Sequence, residues 1–188
     1  MRIRTLILAF VCVSFPIALA ADVADQAPNG FTIRISTIIR AAPPEVVYAK
    51  LVHNVGDWWS SAHTASNDSH NLTIDDKIMG CFCEKLPYGG GVRHAEVIMV
   101  MPNKLLVLSG ALGPLQKFGA TGTLTIVLEP MHKDTHVEMV YAVGGYLPDG
   151  LNVWAAPVNK VLTEQLGRLR RYVETGSPTA PAATTTQP

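Results

Sequence analysis

The order of the predicted elements is the feature that most constrains this fold. Residues 71–143 alternate between short apolar runs and turn sequences, which predicts a series of strands with tight connections. Residues 151–173 then repeat apolar side chains every three or four positions, which predicts one long amphipathic helix. A sheet must bury its apolar face, and this helix is the only segment long enough to cover it. We therefore expect a curved sheet packed on one helix, with a hollow between them that suits a small apolar molecule.

The beginning of the chain has the pattern of a secretory signal peptide. Arg2 and Arg4 form a basic start, residues 6–20 are mostly apolar, and Ala18-Leu19-Ala20 has the small-x-small form of a signal-peptidase site. The apolar stretch is shorter than the about 20 residues of a membrane span. We expect export to a periplasm or to the medium, with cleavage after Ala20 and no integral membrane segment in the mature chain.

The rest of the chain divides into one domain with two flanking segments. Removal of the two leader arginines leaves 13 basic and 15 acidic residues, a net charge of −2, which gives no indication of a nucleic-acid partner. Residues 176–188 carry no charge and no large apolar side chain, so they cannot build a core. We expect a signal peptide at 1–20, a flexible lead-in at 21–30, a single domain at 31–174 and a disordered tail at 175–188.

The domain begins with a strand and two short helices. Residues 31–39 alternate apolar and polar side chains, as a half-buried strand does. The prolines at 43 and 44 favour the start of a helix, and residues 54–61 suit a second short helix that carries Trp58 and Trp59. Six further strands are predicted at 72–74, 81–86, 92–101, 104–110, 121–130 and 136–143.

Several motifs, taken in this order, resemble the START-like (SRPBCC) superfamily. Within it, the chain is similar to the branch of polyketide cyclase/dehydrase and heat-shock-protein ATPase-activator-like proteins, over residues 31–174. The motifs are Asp57-Trp58-Trp59, Gly80-Cys81-Phe82-Cys83-Glu84, Leu112-Gly113-Pro114-Leu115, Gly122-Thr123-Leu124 and Val143-Gly144-Gly145-Tyr146.

The resemblance implies an α+β helix-grip fold, in which a seven-stranded antiparallel sheet grips the long C-terminal helix around an apolar cavity. Two short helices follow the first strand in this fold. Members of the superfamily bind lipids and hormones, cyclise polyketides or assist chaperones. A role with a cytosolic chaperone fits an exported chain poorly.

Three functions are compatible with these patterns. The favoured one is an exported protein that holds a lipid or another apolar small molecule in the cavity. The alternative is a cyclase-like or hydrolase-like enzyme, and a weaker one is a protein-interaction module. Binding is favoured because no constellation of three converging catalytic groups can be read from the sequence. We expect neither a cofactor nor a metal ion.

Glu84 and His94 are the candidate catalytic pair. If residues 87–91 close a hairpin, Glu84 lies opposite His94 and Phe82 lies opposite Glu96, within side-chain contact. Inside the cavity the pair would work as an acid and a base. On the outer face it would be a solvated ion pair of little energetic value. Both strands carry apolar residues on both faces, so periodicity leaves the two possibilities open.

Six residues are candidates for ligand binding. Large aromatic side chains near a cavity form its walls, His63 follows them in a polar loop at a possible entrance, and a tyrosine on the last strand could place its hydroxyl inside. The candidates are Trp58, Trp59, His63, Cys81, Cys83 and Tyr141.

Cys81 and Cys83 are the only cysteines of the predicted mature chain. Two residues apart on a strand, they share a face with Cα atoms roughly 6.6 Å apart, near the upper limit for a disulfide. A bridge would need a bulge in the strand. We expect two unbridged thiols that act as small buried side chains, with a metal site or a redox pair as the alternative.

Overall fold

An antiparallel sheet of eight strands forms the body of the computed structural model, which describes residues 19–180. The strands are β1 Ala20–Ala27, β2 Gly30–Ile39, β3 Leu72–Ile74, β4 Cys81–Lys85, β5 Gly91–Met101, β6 Leu105–Ser109, β7 Gly119–Met131 and β8 Asp134–Tyr146. Their order across the sheet is β1-β2-β8-β7-β6-β5-β4-β3. The chain thus forms β1 and β2 at one edge, crosses to β3 at the far edge, and returns strand by strand until β8 pairs with β2.

Two short helices and one long one accompany the sheet. They are α1 Pro44–His53, α2 Val55–Trp58 and α3 Ala155–Thr175. Pro157 lies in the first turn of α3, so it begins the regular helix and does not kink it. The helix ends at Gly176, whose positive φ of 79° lets its N–H bond to the carbonyl of Tyr172. None of the helices in residues 19–180 is both long and apolar enough to cross a membrane.

The apolar side of α3 closes the core. Leu162, Leu166 and Leu169 are buried and pack with the inward-facing residues of the sheet, such as Ile33 and Ile35 of β2. The alternating burial along β2 matches the alternation in its sequence. The predicted helix-grip architecture is confirmed, with its two short helices after the first predicted strand.

The eighth strand corrects the prediction of a seven-stranded sheet. Residues 21–30, predicted as a flexible lead-in, instead supply β1, which turns at Pro28 and Asn29 and pairs with β2. Most residues of β1 are exposed because it is an edge strand outside the core. Val23 packs against the core while partly buried, but one such side chain produces no apolar alternation, so the sequence pattern did not reveal the strand.

The ends of the described region bear on the predicted boundaries. The helix α3 ends at Thr175, one position beyond the predicted end of the domain. The next residues fold back on α3, since Nε of Arg171 donates to the carbonyl of Pro178 at 2.8 Å. Residues 1–18 and 181–188, which hold most of the predicted signal peptide and tail, lie outside the described residues.

A β-bulge interrupts the pairing of β4 with β5. Glu84 pairs with Val92, Cys83 with Arg93 and Phe82 with Ala95, so that His94 is the extra residue on β5. The predicted pairing of Glu84 with His94 and of Phe82 with Glu96 is therefore wrong. The hairpin loop begins one residue earlier than predicted, with Lys85 opposite Gly91. The bulge shifts the register again and turns both His94 and Ala95 inward.

The structure also corrects the prediction of two free thiols. Cys81 and Cys83 form a disulfide, with Cα atoms 5.4 Å apart. The strand is contracted here, where the register shift falls between Phe82 and Cys83. The contraction brings the two Cα atoms well within the usual range for a bridge. Phe82 and Glu84 point into the core, so the disulfide lies on the outer face of β4.

Candidate functional site

A cavity of about 550 Å³ lies between the first half of α3 and the β3–β5 end of the sheet. Its remaining walls are the segment 59–65 and the turn Gly113–Lys117. The lining contains no aspartate or glutamate. The lining residues are Trp59, Ala62, His63, Thr64, Ala65, Leu72, Phe82, Val92, His94, Leu112, Gly113, Pro114, Leu115, Gln116, Lys117, Trp154, Pro157, Val158, Val161 and Leu162.

Aromatic and aliphatic side chains give the cavity its apolar character. The rings of Trp59 and Phe82 meet edge to face with centroids 5.4 Å apart. From the opposite side, Val158, Val161 and Leu162 of α3 face them across the cavity. Walls of this kind bind a ligand mainly by removing its apolar surface from water.

His94 and Glu84 form the polar end of the cavity. Nε2 of His94 lies 2.9 Å from Oε2 of Glu84. The Glu84 side chain is fully buried and that of His94 is only 10% exposed. The predicted contact is present even though the predicted register is wrong, because the bulge turns His94 toward the same face as Glu84. Of the two side chains, His94 lines the cavity and Glu84 lies behind it.

Glu84 also holds the loop that follows the second tryptophan. Its carboxylate accepts hydrogen bonds from the backbone N–H groups of Ala65 at 3.0 Å and Ser66 at 2.5 Å. Burial by itself would raise the pKa of Glu84, but the hydrogen bonds from Ser66, Ala65 and His94 together hold this pKa below its ordinary value. The carboxylate is therefore ionised at neutral pH, and it fixes both a cavity wall and the imidazole of His94.

Polar side chains of α3 hold the same loop from the other side. Oε2 of Glu164 lies 3.1 Å from Nε2 of His63, and Oε1 of Gln165 accepts from the N–H of Ser60 at 2.9 Å. Nε of Arg168 donates to the carbonyl of Trp58 at 2.8 Å. The segment 58–66 is thus held between α3 and β4, and several of its residues line the cavity.

Tyr141 supports the cavity from behind and does not line it. Its hydroxyl donates to the carbonyl of Gly110 at 3.0 Å and accepts from the N–H of Leu112 at 2.9 Å. The ring passes over Gly122, where a Cβ would lie 2.6 Å from the ring. Burial raises the pKa of Tyr141 to about 12, so the hydroxyl stays protonated. The tyrosine fixes the start of the turn that lines the cavity.

The structure places only part of the predicted ligand-binding set at the cavity. Trp59 and His63 line it. Trp58 lies in the core beside α1, where its Nε1 donates to the carbonyl of Lys50 at 3.1 Å. Cys81, Cys83 and Tyr141 are not among the lining residues. These four residues lie outside the lining of this cavity, because the cysteines point outward and the other two side chains are used within the core.

Most of the lining residues were not predicted as site residues, and they include two groups from single elements. The first is the turn Gly113–Lys117, and the second is the apolar side of α3 in its N-terminal half. The motif Leu112-Gly113-Pro114-Leu115 carried the resemblance to START-like proteins, and this was the available signal for the turn. Within residues 19–180, no cluster of three or more histidine, cysteine, aspartate or glutamate side chains could hold a metal ion.

Comparison with solved structures agrees with the helix-grip fold of this chain. A conserved protein of unknown function, EF2215 from Enterococcus faecalis, is 18% identical with a TM-score of 0.55, covering 87% of this chain and 80% of that one. DynU16, from the dynemicin biosynthetic locus, is 18% identical with a TM-score of 0.53, covering 78% of this chain and 48% of that one. The Aha1 dimer from Colwellia psychrerythraea is 20% identical with a TM-score of 0.52, covering 77% and 97%.

These likenesses establish the fold alone. No protein-family model matches the sequence, and no curated protein matches it. One fold of this kind supports many unrelated functions, so the function has to be argued from the cavity and its residues.

Proposed function

We propose that this protein binds an apolar small molecule in the cavity between the sheet and α3 and releases it unchanged. The observation that supports this proposal is a cavity of about 550 Å³ with apolar walls and one buried polar pair. Its volume is in the range of sites that enclose a lipid or a drug-sized molecule. The single polar end would orient the ligand, and the walls would supply most of the affinity.

Catalysis by the same pair is the second candidate, because His94 reaches the cavity and has a carboxylate behind it. An enzyme needs further groups that meet the reacting atoms. Glu84 is occupied by three N–H donors and lies behind the lining, so only His94 can meet a ligand there. This arrangement suits recognition better than turnover. Mass spectrometry of the native protein from its own host would separate the two, since a retained, unmodified ligand favours binding.

A tryptophan at position 161 is expected to block the cavity. Val161 lines the cavity from α3 and is only partly buried, so a larger side chain can enter the empty space without displacing the core. We expect Val161→Trp to weaken binding of the neutral fluorescent probe N-phenyl-1-naphthylamine by about tenfold or more, because the bulk takes up ligand volume. The measurement is a fluorescence titration of both proteins.

The neighbouring position supplies a matched control for this experiment. Lys160 is exposed on the other side of the same helix and does not line the cavity, so Lys160→Trp should leave probe binding unchanged. Equal affinities for Val161→Trp and the wild type would place the probe elsewhere and would count against the proposed container.

We also propose that the protein is exported and cleaved after Ala20. The basic start and the Ala18-Leu19-Ala20 site support this proposal. The disulfide between Cys81 and Cys83 is compatible with it, because such bridges persist in oxidising compartments. Cleavage after Ala20 would leave β1 nearly whole, since Ala21 is its second residue and pairs with Ile35.

N-terminal sequencing of protein recovered from the periplasm or the medium tests this proposal. We expect the sequence to begin at Ala21. Recovery of the chain only in the cytoplasm or the membrane, with Met1 intact, would exclude export.

A further inference from the structure

His94 offers the cavity one unused polar atom. Its Nε2 is bound to Glu84, and its Nδ1 has no hydrogen-bond partner among residues 19–180. Nδ1 is not fully enclosed, since it is not one of the buried side-chain polar atoms of residues 19–180 that lack a hydrogen-bond partner. Because His94 lines the cavity and its Nε2 is taken by Glu84, Nδ1 is the ring nitrogen left for a ligand there.

Glu84 fixes the tautomer of the neutral ring. Its carboxylate already accepts from the N–H groups of Ala65 and Ser66 and, being ionised, has no hydrogen to give. The contact at 2.9 Å therefore requires the hydrogen to be on Nε2 of His94. In the neutral imidazole, Nδ1 then carries the lone pair and is a hydrogen-bond acceptor.

The other polar side chains of the lining are engaged or lie at the rim. The hydroxyl of Thr64 donates to the carbonyl of Ser61 at 2.8 Å, and the amide of Gln116 donates to the carbonyl of Arg93 at 2.9 Å. His63 is bound to Glu164, and Lys117 is exposed. The walls around His94 include Phe82, whose ring centroid lies 5.1 Å from that of the imidazole. Nδ1 is thus an acceptor in an apolar setting.

We propose that the ligand of this cavity is an apolar molecule with a hydroxyl group, phenolic or alcoholic, which donates a hydrogen bond to Nδ1 of His94. This inference rests on the proposed binding function and adds the chemical class of the ligand. An acceptor enclosed with an apolar ligand loses its hydrogen bond to water and gains none in return. A ligand hydroxyl restores that bond, whereas a methyl group of similar size does not.

A matched series of naphthalenes tests the inference on the wild-type protein. The probes are 2-naphthol, which donates a hydrogen bond, 2-methylnaphthalene, which offers neither donor nor acceptor, and 2-methoxynaphthalene, which offers only an acceptor. Each is titrated at neutral pH against bound N-phenyl-1-naphthylamine. We expect 2-naphthol to bind about tenfold more tightly than either of the other two, which is the effect of one satisfied buried hydrogen bond.

Two variants assign the preference to the proposed atom. His94→Phe removes the acceptor and keeps a flat ring, so the naphthol preference should disappear while 2-methylnaphthalene still binds. His136→Gln changes a partly exposed histidine that pairs with Glu129 and does not line the cavity, so this variant should keep the preference. In the wild type, the ¹⁵N shifts of the His94 ring should show the hydrogen on Nε2 and a lone pair on Nδ1.

The outcomes separate this inference from the binding function on which it rests. Equal affinity for the three probes, or a preference for 2-methoxynaphthalene, would overturn the hydroxyl proposal and leave the apolar container intact. A hydrogen on Nδ1 of the neutral ring would overturn it as well. Failure of all three probes to bind would overturn both the container and the ligand class.

Discussion

Leu166→Ala is expected to lower the free energy of unfolding by about 2–5 kcal/mol. Leu166 is fully buried near the middle of α3, between Leu162 and Leu169, which are also buried. Truncation to alanine removes the transfer free energy of the side chain and leaves a void that a long, regular helix cannot collapse to fill. The measurement is urea denaturation of both proteins, followed by circular dichroism.

Lys160→Ala is the control for the same helix. Lys160 is exposed, so its truncation should change stability by no more than about 0.5 kcal/mol. If Leu166→Ala were equally mild, α3 would not close the core, and the cavity between helix and sheet would lose its physical basis.

The parts of the fold with a buried face were readable from the sequence. In β2 the alternation of apolar and polar residues matches the alternation of burial, because each strand residue points to one face. The leucines of α3 are spaced by three or four residues and match its buried side, because residues at this spacing lie on one side of a helix. Where one face of an element is buried, apolar residues recur in the sequence at the period of that element.

The sequence of β1 shows no such alternation of apolar and polar residues. Its residues are mostly exposed, and it is held by backbone hydrogen bonds to β2, which do not depend on side-chain type. The sequence of a short polar stretch next to a turn is therefore the same whether the stretch pairs with the edge of a sheet or extends into solvent. Only the three-dimensional position of β2 at the end of the sheet makes the extra strand possible.

The bulge explains why the Glu84–His94 contact was predicted from the wrong pairing. A bulge adds one residue to one strand, which reverses the faces of the residues beyond it. On β5, Val92 and His94 contribute to the cavity lining before the shift, and Ala95 and Val97 are buried after it. The sign of the bulge in the sequence was that His94 and Ala95, two consecutive residues, are both compatible with burial. The disulfide between Cys81 and Cys83 depends on the same local geometry.

The cavity lining was the least predictable part of the molecule. It combines residues from a turn, a loop, three strands and a helix, and no sequence spacing brings these together. Tyr141 shows the difficulty, since a hydroxyl on the last strand could equally enter the cavity or support a turn. The structure shows the second, with hydrogen bonds to Gly110 and Leu112.

Glu84→Ala is expected to destabilise the protein by about 3 kcal/mol or more at neutral pH. The change leaves the N–H groups of Ala65 and Ser66 and the Nε2 of His94 without their acceptor. Each buried or partly buried donor left unpaired costs about 1–3 kcal/mol, unless water reaches it. The carboxylate also ties the segment 58–66 to β4, so the amides of residues 65 and 66 should exchange hydrogen faster in the variant. Glu45→Ala, at an exposed carboxylate in the first turn of α1, is the control.

The difference between wild type and Glu84→Ala should depend on pH in a defined direction. The pKa of Glu84 is lower in the folded protein than its ordinary value, since its hydrogen bonds outweigh its burial. A carboxylate of this kind stabilises the fold fully above its unfolded pKa, near pH 4, and this contribution is lost as the pH falls through the lower, folded pKa. The variant lacks the group, so its stability has no such dependence at this position. The difference in unfolding free energy between the two proteins should therefore become smaller as the pH is lowered from 7 to 3. A gap that stayed constant down to pH 3 would mean that the ionised carboxylate is not what holds the cavity wall.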